Sequence, residues 1–443
     1  MKILIIALIL PFWVGAQSWQ PVGNAGFIVE NTHHTDIAFN PSTGEPYAVF
    51  ASNSGISVMR YDGLTWVAVG IPFFSPNNPF KNGIAFNSVT NRPYVVFRED
   101  NSGDYIYVYE FDGTNWVNIS GFSGITGGDE GDYPSLATHP STGEPYVAMV
   151  NSDQDMLEVR RYDGANWIQL DTVHTPPNAD ECVLRFHPVT EEPYVAYRQG
   201  VFGKINIQRF DGSAWVFVGP PDFSPEVNEL DFQIDPVSNE LVVAFYDRDV
   251  HLASAMRYDG TAWQFVGNQG FSGPSPRDIS LGIHPSSQHL LVAYRENTVG
   301  PIYAATYDGL NWVNTGNPEV SSGLGAYCNI AFHPSSNVPH IIFQDNTANG
   351  PTVVKLAGFL SAEVIKEASF NVYPNPSSGT FEIDYSEHNG KIISVDVFDL
   401  LGKSVYHSET LEPRLVMAGL KSGSYIIQLQ TEKGSIGKAI LIN

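Results

Sequence analysis

Cysteine is nearly absent: Cys182 and Cys328 are the two in 443 residues. That excludes a disulfide-stapled fold. The pair occupies the same place in two copies of a repeat, three copies apart, and is expected to stay as buried free thiols beyond bonding distance. Charge is sparse at 16% of residues, and basic charge sparser still, with 23 Lys+Arg against 47 Asp+Glu. The acid is concentrated over residues 17–359, where 15 basic residues face 37 acidic ones, a net of −22. Such a chain repels nucleic acid, anionic lipid and anionic polysaccharide unless a cation intervenes. Long apolar runs are also missing, apart from Ile3 to Val14 behind Lys2. Followed by Val14-Gly15-Ala16, that run reads as a signal peptide over residues 1–16. No cysteine follows the expected cut, so a lipoprotein signal is excluded, and the mature chain carries no transmembrane candidate. Helical periodicity is absent throughout.

What the chain has instead is a repeat. Trp19, Trp66, Trp116, Trp167, Trp215, Trp263 and Trp312 are separated by 47, 50, 51, 48, 48 and 49 residues. A period near 50 marks one supersecondary unit copied around a ring or along a solenoid. Each copy holds four short runs rich in Val, Ile, Tyr and Phe, divided by turns. Asp36-Ile37-Ala38-Phe39-Asn40-Pro41 leads into Ser42-Thr43-Gly44-Glu45-Pro46, then a run such as Tyr94-Val95-Val96-Phe97. The third run ends at an Asp-Gly turn, as at Asp62-Gly63, and the fourth opens on the tryptophan. Four antiparallel strands per copy, repeated radially, make a β-propeller blade.

The first-strand motif occurs seven times and the Asp-Gly-x-x-Trp motif six, so the last copy lacks its fourth strand. The orphan Trp19-Gln20-Pro21-Val22-Gly23 is expected to supply it, closing a seven-bladed ring without open edges. The tryptophans then read as staples between blades, and each Asp-Gly as a turn with the aspartate accepting backbone N–H groups. Alanine in mid first strand (Ala38, Ala85, Ala137, Ala331) lets the inner strands crowd the axis. The fold class expected is all-β, a seven-bladed propeller over 17–359, a linker over 360–368 and a small β-sandwich over 369–443.

In that tail the period stops. It opens Tyr373-Pro374-Asn375-Pro376 with Gly379, continues to Asp399 and Gly402, and then reaches Gly423 and Tyr425. These motifs stand in order over roughly the last 75 residues, and the segment closely resembles the type A C-terminal sorting domain of the type IX secretion system of Bacteroidota. The resemblance implies export across both membranes, handling by the type IX machinery, and display at the outer-membrane surface or release. The repeats resemble propellers in general; they lack the paired glycines of kelch repeats and the Trp-Asp of WD repeats.

Function is therefore sought in the repeats, on the face whose loops diverge. Ligand-binding candidates there are Arg98, Glu99, Asp132, Tyr133, Asp180, Glu181, Arg198, Asp247, Arg295, Glu296 and Asp345. Arg98, Arg198 and Arg295 share one repeat position, which fits either a carboxylate-binding trio or a set of ion pairs stitching blades together. The same loops would suit Ca²⁺, although no Asp-x-Asp-x-Asp-Gly loop is present. His139, His187, His284 and His333 precede the opposite turns, where Asn40, Asn87 and Asp235 also occur, and read as turn caps rather than metal ligands. His33-His34 remain a weak candidate on the divergent side. No nucleophile set, nucleotide loop or metal spacing stands out, so no catalytic residue is assigned. The reading is a non-catalytic recognition or scaffold propeller for an extracellular glycan or protein. The alternative is a glycosidase or lyase on the same face, which two carboxylates at a defined separation would require.

Overall fold

The computed structural model describes residues 18–357 and 370–442, apart from 76–77, 101–102, 172, 174–178, 201–202, 317–318, 386–391, 400–403, 409–413 and 432–433. The expected signal peptide, the linker and Gly402 lie outside the described residues. The chain divides into two compact units, 1–359 and 360–443.

The first unit is all-β, built from repeated four-stranded antiparallel sheets, each a propeller-like blade. Thr32–Phe39, Pro46–Ser52, Gly55–Tyr61 and Trp66–Ala68 form the first sheet, in sequence order. Four more sheets of the same order begin with Pro79–Phe86, Gly131–Thr138, Ala179–Phe186 and Val227–Ile234. The groups beginning Pro276–Ile283 and Leu324–Phe332 merge into one eight-stranded sheet, because Gly300 and Pro301 also pair with Gly325 and Leu324. Its outermost strand is Ser18–Pro21, which pairs with Gly350–Ala357 in the register Trp19 to Leu356. The N-terminal strand thus takes the fourth place beside the last strand of the repeat. First strands neighbour one another in an unbroken cycle, with Thr32–Phe39 beside both Pro79–Phe86 and Leu324–Phe332.

The tryptophans join successive sheets. The indole N–H of Trp116 donates to the Val69 carbonyl (2.8 Å), Trp312 to Val266 (2.7 Å) and Trp66 to Val22 (2.7 Å), each at the end of the preceding fourth strand. Trp19 closes the series on Thr315 (2.8 Å). A phenylalanine from the preceding connection stacks on several of these indoles, as Phe74 does on Trp116 at 4.6 Å and Phe271 on Trp312 at 3.9 Å. This close approach explains the glycine after the fourth strand. At Gly316 the φ is +75°, and a Cβ would lie 2.3 Å from Trp19 Cδ1.

The turns follow the chemistry read from their sequence. Asp62 Oδ1 accepts N–H bonds from Leu64 (2.9 Å) and Thr65 (2.8 Å), while Gly63 takes a φ of 96°. These bonds hold the fully exposed carboxyl below the usual range. At the first turn, His139 Nδ1 accepts from Ser141 and Thr142, just as Asn40 Oδ1 accepts from Ser42 and Thr43 and Asp235 Oδ1 from Val237 and Ser238. Three residue types do one job there, because each places an acceptor within reach of the same two N–H groups.

In the second unit, Asn371–Tyr373, Thr380–Asp384 and Arg414–Ala418 form one sheet. Ser404–Ser408, Ile392–Asp399, Gly423–Thr431 and Gly434–Ile442 form the other. Phe381, Ile383, Val395, Val397, Ile427 and Ile440 share one buried core between them, the arrangement of a small sandwich. Tyr425 is buried with its hydroxyl on the Lys421 carbonyl (2.9 Å), and Tyr373 is exposed with its hydroxyl on Glu382 (2.7 Å).

Candidate functional site

Every first strand breaks its ladder at the same place. The register shifts lie at His33/Thr35, Phe80/Asn82, Asp132/Ser135, Asp180/Cys182, Val227/Leu230, Arg277/Ser280 and Ala326/Asn329. A β-bulge adds an unpaired residue and re-aims its side chain. His34, Lys81, Tyr133, Glu181, Asp278 and Tyr327 sit at the bulges with φ between 44° and 53°. Such backbone costs on the order of 1–3 kcal/mol per residue and persists only where its surroundings impose it.

The surroundings are visible. In four of these strands the side chain after the bulge reaches back to the carbonyl of the preceding bulge. Thr35 Oγ1 donates to Tyr327 O, Asn82 Nδ2 to His34 O, Cys182 Sγ to Tyr133 O (3.2 Å) and Cys328 Sγ to Asp278 O (3.0 Å). The two cysteines are buried and free, as their sequence positions suggested, and their thiols act as weak donors. Burial first, and then neighbouring carboxylates, push both thiols up. One step further along, Asp36, Ser135, Asp231 and Ser280 each accept the N–H of the next first strand, at Ile84, Leu184, Leu281 and Ile330.

The bulges ring a cavity of about 530 Å³ to which every first strand contributes. Next to it along the strands, sharing Ile279, lies a second space of about 230 Å³ lined by Asp36, Asn82, Arg185 and Asp231 among others. Arg185 stands where four other copies carry alanine, and reaches Asp231 and Gln233 (both 3.2 Å). Burial raises the Asp36 carboxyl to about 6.

Two arcs of different chemistry face each other across the mouth. Along the fourth, fifth and sixth first strands, Arg198 bonds Asp180 (2.7 Å) and approaches Glu181 (3.9 Å), and Arg277 meets Glu229 (3.3 Å). Asp278 pairs with Arg295 (2.9 Å). Glu181, Glu229 and Asp278 also accept the backbone N–H of Leu230, Asp278 and Tyr327 on the next strands. Burial, and then the charge of Glu229, lift the Glu181 carboxyl to about 8 against the opposing pull of Arg198. The other arc is aromatic: the His34 ring lies 4.2 Å from both Tyr327 and Phe80. Burial, then His33 and Lys81, depress the His34 imidazole to about 3. Lys81 closes the circle, its ammonium on Asp132 (2.8 Å) and over the Tyr133 ring (3.0 Å from the centroid).

Of the residues singled out from the sequence, Tyr133, Asp180, Glu181 and Arg198 line this cavity. Asp132 and Arg295 hold lining side chains, Lys81 and Asp278. Arg98 binds Asp100, Asp104 and Asp132 at 3.0–3.3 Å. Of the arginine trio, Arg98 reaches Asp132 on a neighbouring sheet, while Arg198 and Arg295 pair with Asp180 and Asp278 on the first strand of their own. The structure does not bring Glu99, Asp247, Glu296 and Asp345 to the cavity. All four end a second strand, and each has a neighbour on the third strand of its own hairpin. Asp247 accepts from Ser254 (3.1 Å) and Gln269 (2.8 Å), and Asp345 from Thr347, Ala348 and Thr352. Glu99 lies against Tyr107 and Glu296 against Tyr303.

Sequence reasoning did not assign Lys81, Asn228, Glu229, Arg277, Asp278 and Tyr327, and gave His34 little weight. The available signal was a position that differs in nearly every copy, inside an otherwise repeated strand. Among the described residues no group of three or more His, Cys, Asp or Glu is arranged to hold a metal ion. Among the described residues no helix is long and apolar enough to cross a membrane.

The molecule is thus a protein of repeated propeller-like sheets joined to a small sandwich. Residues 371–443 match the family described as secretion system C-terminal sorting domain. The chain carries that domain of type IX secretion and is exported to the cell surface or the extracellular space. No curated protein matches the chain. Among solved structures it is similar to the BP39L lectin from Burkholderia pseudomallei, with a TM-score of 0.53 and 12% identity over 73% of this chain and 95% of that one. That likeness is one of fold. PorZ, a surface component of the type IX system of Porphyromonas gingivalis, gives 0.39 and 13% over 90% and 64%. The six-bladed fungal lectin of Aleuria aurantia gives 0.44 and 13% over 67% and 98%.

Proposed function

We propose that this chain is a secreted or surface-displayed recognition protein. A seven-bladed propeller over 17–359, closed by the N-terminal strand, engages a glycan through the face on which the bulges open. In this reading residues 1–16 are a cleaved signal, 360–368 a linker and 369–443 the sorting domain. The observation that carries it is the mouth of the ring. A cavity of about 530 Å³ with convergent donors, acceptors and aromatic rings has the size and lining of a small-ligand site. Its charged groups are paired with one another, which suits binding without turnover. The fold likeness to a lectin agrees with this and adds no site residue. The test is a glycan array probed with the secreted chain, with and without EDTA, while soluble products are assayed. Retention of a glycan with no released sugar supports recognition; loss of binding in EDTA would restore calcium to the account.

A second reading is a carbohydrate-active enzyme, and one observation favours it. Glu181 stays protonated near neutral pH beside Asp180 and Glu229, which is the condition a general acid needs. Released sugar that disappears in Glu181→Gln, with the melting temperature unchanged, would establish this reading over the first.

A further inference from the structure

Taking the recognition reading as its basis, we infer that the ring mouth binds one neutral saccharide residue per chain, end-on. One face of the sugar lies on Tyr327 and His34, and adjacent hydroxyls lie on the carboxylate–arginine arc opposite. Three observations converge on this class of ligand.

The first is the alternation of charge along the arc. Asp180 and Glu181 flank Arg198, and Glu229 flanks Arg277, so acceptor and donor groups succeed one another within a few ångströms. A free cation gains little there, since each carboxylate already has a guanidinium beside it. A free anion meets arginines already held by carboxylates, in a stretch, 17–359, with a net charge of −22. Neighbouring hydroxyls, each able to donate and accept at once, satisfy both kinds of group without displacing either.

The second is the opposite wall. Tyr327 and His34 are held by bulges, with ring centroids 4.2 Å apart and Phe80 behind His34. The two rings pack on one another and both line the cavity, and the parts they leave open to it give the carbon-bound hydrogens of a pyranose an apolar contact. The Tyr133 face is already taken by the Lys81 ammonium. Stacking therefore has one place to occur, although the surrounding strands repeat.

The third is the neighbouring space. Next along the strands lies a volume of about 230 Å³ in which Arg185 is tied to Asp231 and Gln233. No aromatic ring lines it, so a sugar finds its stacking partner in the mouth alone, and one residue is what the cavity reads. The site is single because the bulge residues differ from strand to strand.

Calorimetry on the whole secreted chain tests this, using methyl β-galactoside, methyl α-mannoside and methyl α-fucoside as neutral probes and galacturonate as the charged one. At least one neutral glycoside should bind with one site per chain, and galacturonate at least tenfold more weakly. The glycoside lacking one of the paired hydroxyls should lose about tenfold or more. Tyr327→Leu and Glu181→Gln should each weaken binding by about tenfold, while thermal melting confirms that both variants fold. Binding that survives both variants, more than one site per chain, or a preference for galacturonate overturns the proposal. Blank titrations beside a positive glycan array overturn this site and leave the recognition reading standing. A blank array with a captured protein ligand overturns both the site and its glycan class.

Discussion

The two ends of the same first strands obey opposite rules. At the turn end, Asn40, Asn87, His139, His187, Asp235, His284 and His333 differ in type and agree in task. At the bulge end, His34, Lys81, Tyr133, Glu181, Glu229, Asp278 and Tyr327 occupy one position and share no common chemistry. The turn residue answers to its own backbone, a demand that is identical in every copy. The bulge residue faces the axis, where copies meet each other, so it answers to a ring of unlike neighbours. Repetition thus supplies the frame, and one unrepeated position per copy supplies the cavity.

The contrast can be broken most severely at the staples that make the frame. Trp116→Ala removes a buried ring, its stacking on Phe74 and a bond to Val69. Chemical denaturation should show a loss of about 3–5 kcal/mol. Gly316→Ala should also destabilise strongly, since its Cβ would enter the Trp19 indole at a positive φ. A turn cap should matter less: Asp235→Ala should cost about 1 kcal/mol by the same assay. Asp235→Asn should cost well under that, because the acceptor remains.

Acidity sharpens the comparison further. Glu181 and Asp36 have folded-state pKa values above their ordinary ones, at about 8 and about 6. Their contribution is full below the carboxylate range and is lost as pH rises through those values. His34 and His340 are depressed to about 3 and about 4, chiefly by burial. Theirs is full above the ordinary histidine range and is lost as pH falls towards those values. Melting temperature followed against pH should therefore decline on both sides of a mildly acidic optimum. Glu181→Gln should flatten the alkaline limb, whereas changing the fully exposed Asp62 should leave it as it is.

The smallest effect belongs to the ion pairs on the turn face. Arg60–Glu45 (2.6 Å) and Arg209–Glu192 (2.8 Å) recur at one repeat position with about a third of each side chain exposed. A double-mutant cycle on either should return less than about 1 kcal/mol, falling with salt. The Arg198–Asp180 pair (2.7 Å), on a buried arginine, should exceed it.

Much of the frame was legible because its signals are local. Asp-Gly fixes a turn through the aspartate's own downstream N–H groups, and alternating Val, Ile and Tyr fix strands that pair with their chain neighbours. Even the N-terminal strand could be placed, since one copy of the repeat was short of a strand. The candidate site was legible only in part. Glu99, Asp247, Glu296 and Asp345 looked like site residues because they are polar and close to divergent loops. Their carboxylates instead face a third-strand neighbour, and Asp247 and Glu296 also accept from Gln269 and Gly273 in the connection to the next sheet. Tyr327 and Glu229 went unassigned because strand alternation does not reveal a bulge, and a single added residue reverses which side chain faces the axis.

The sequence by itself determined the repeat, the strand and turn chemistry, the buried free thiols and the exported character conferred by the sorting tail. All of these depend on contacts within a copy, or on a contiguous motif. Tertiary structure alone decided that His34, Lys81, Tyr133, Glu181, Glu229, Asp278 and Tyr327 form one ring. It also decided that the ring divides into an aromatic arc and a charged one. Those residues lie tens to hundreds of positions apart, and what joins them is closure of the cycle, which no single copy encodes.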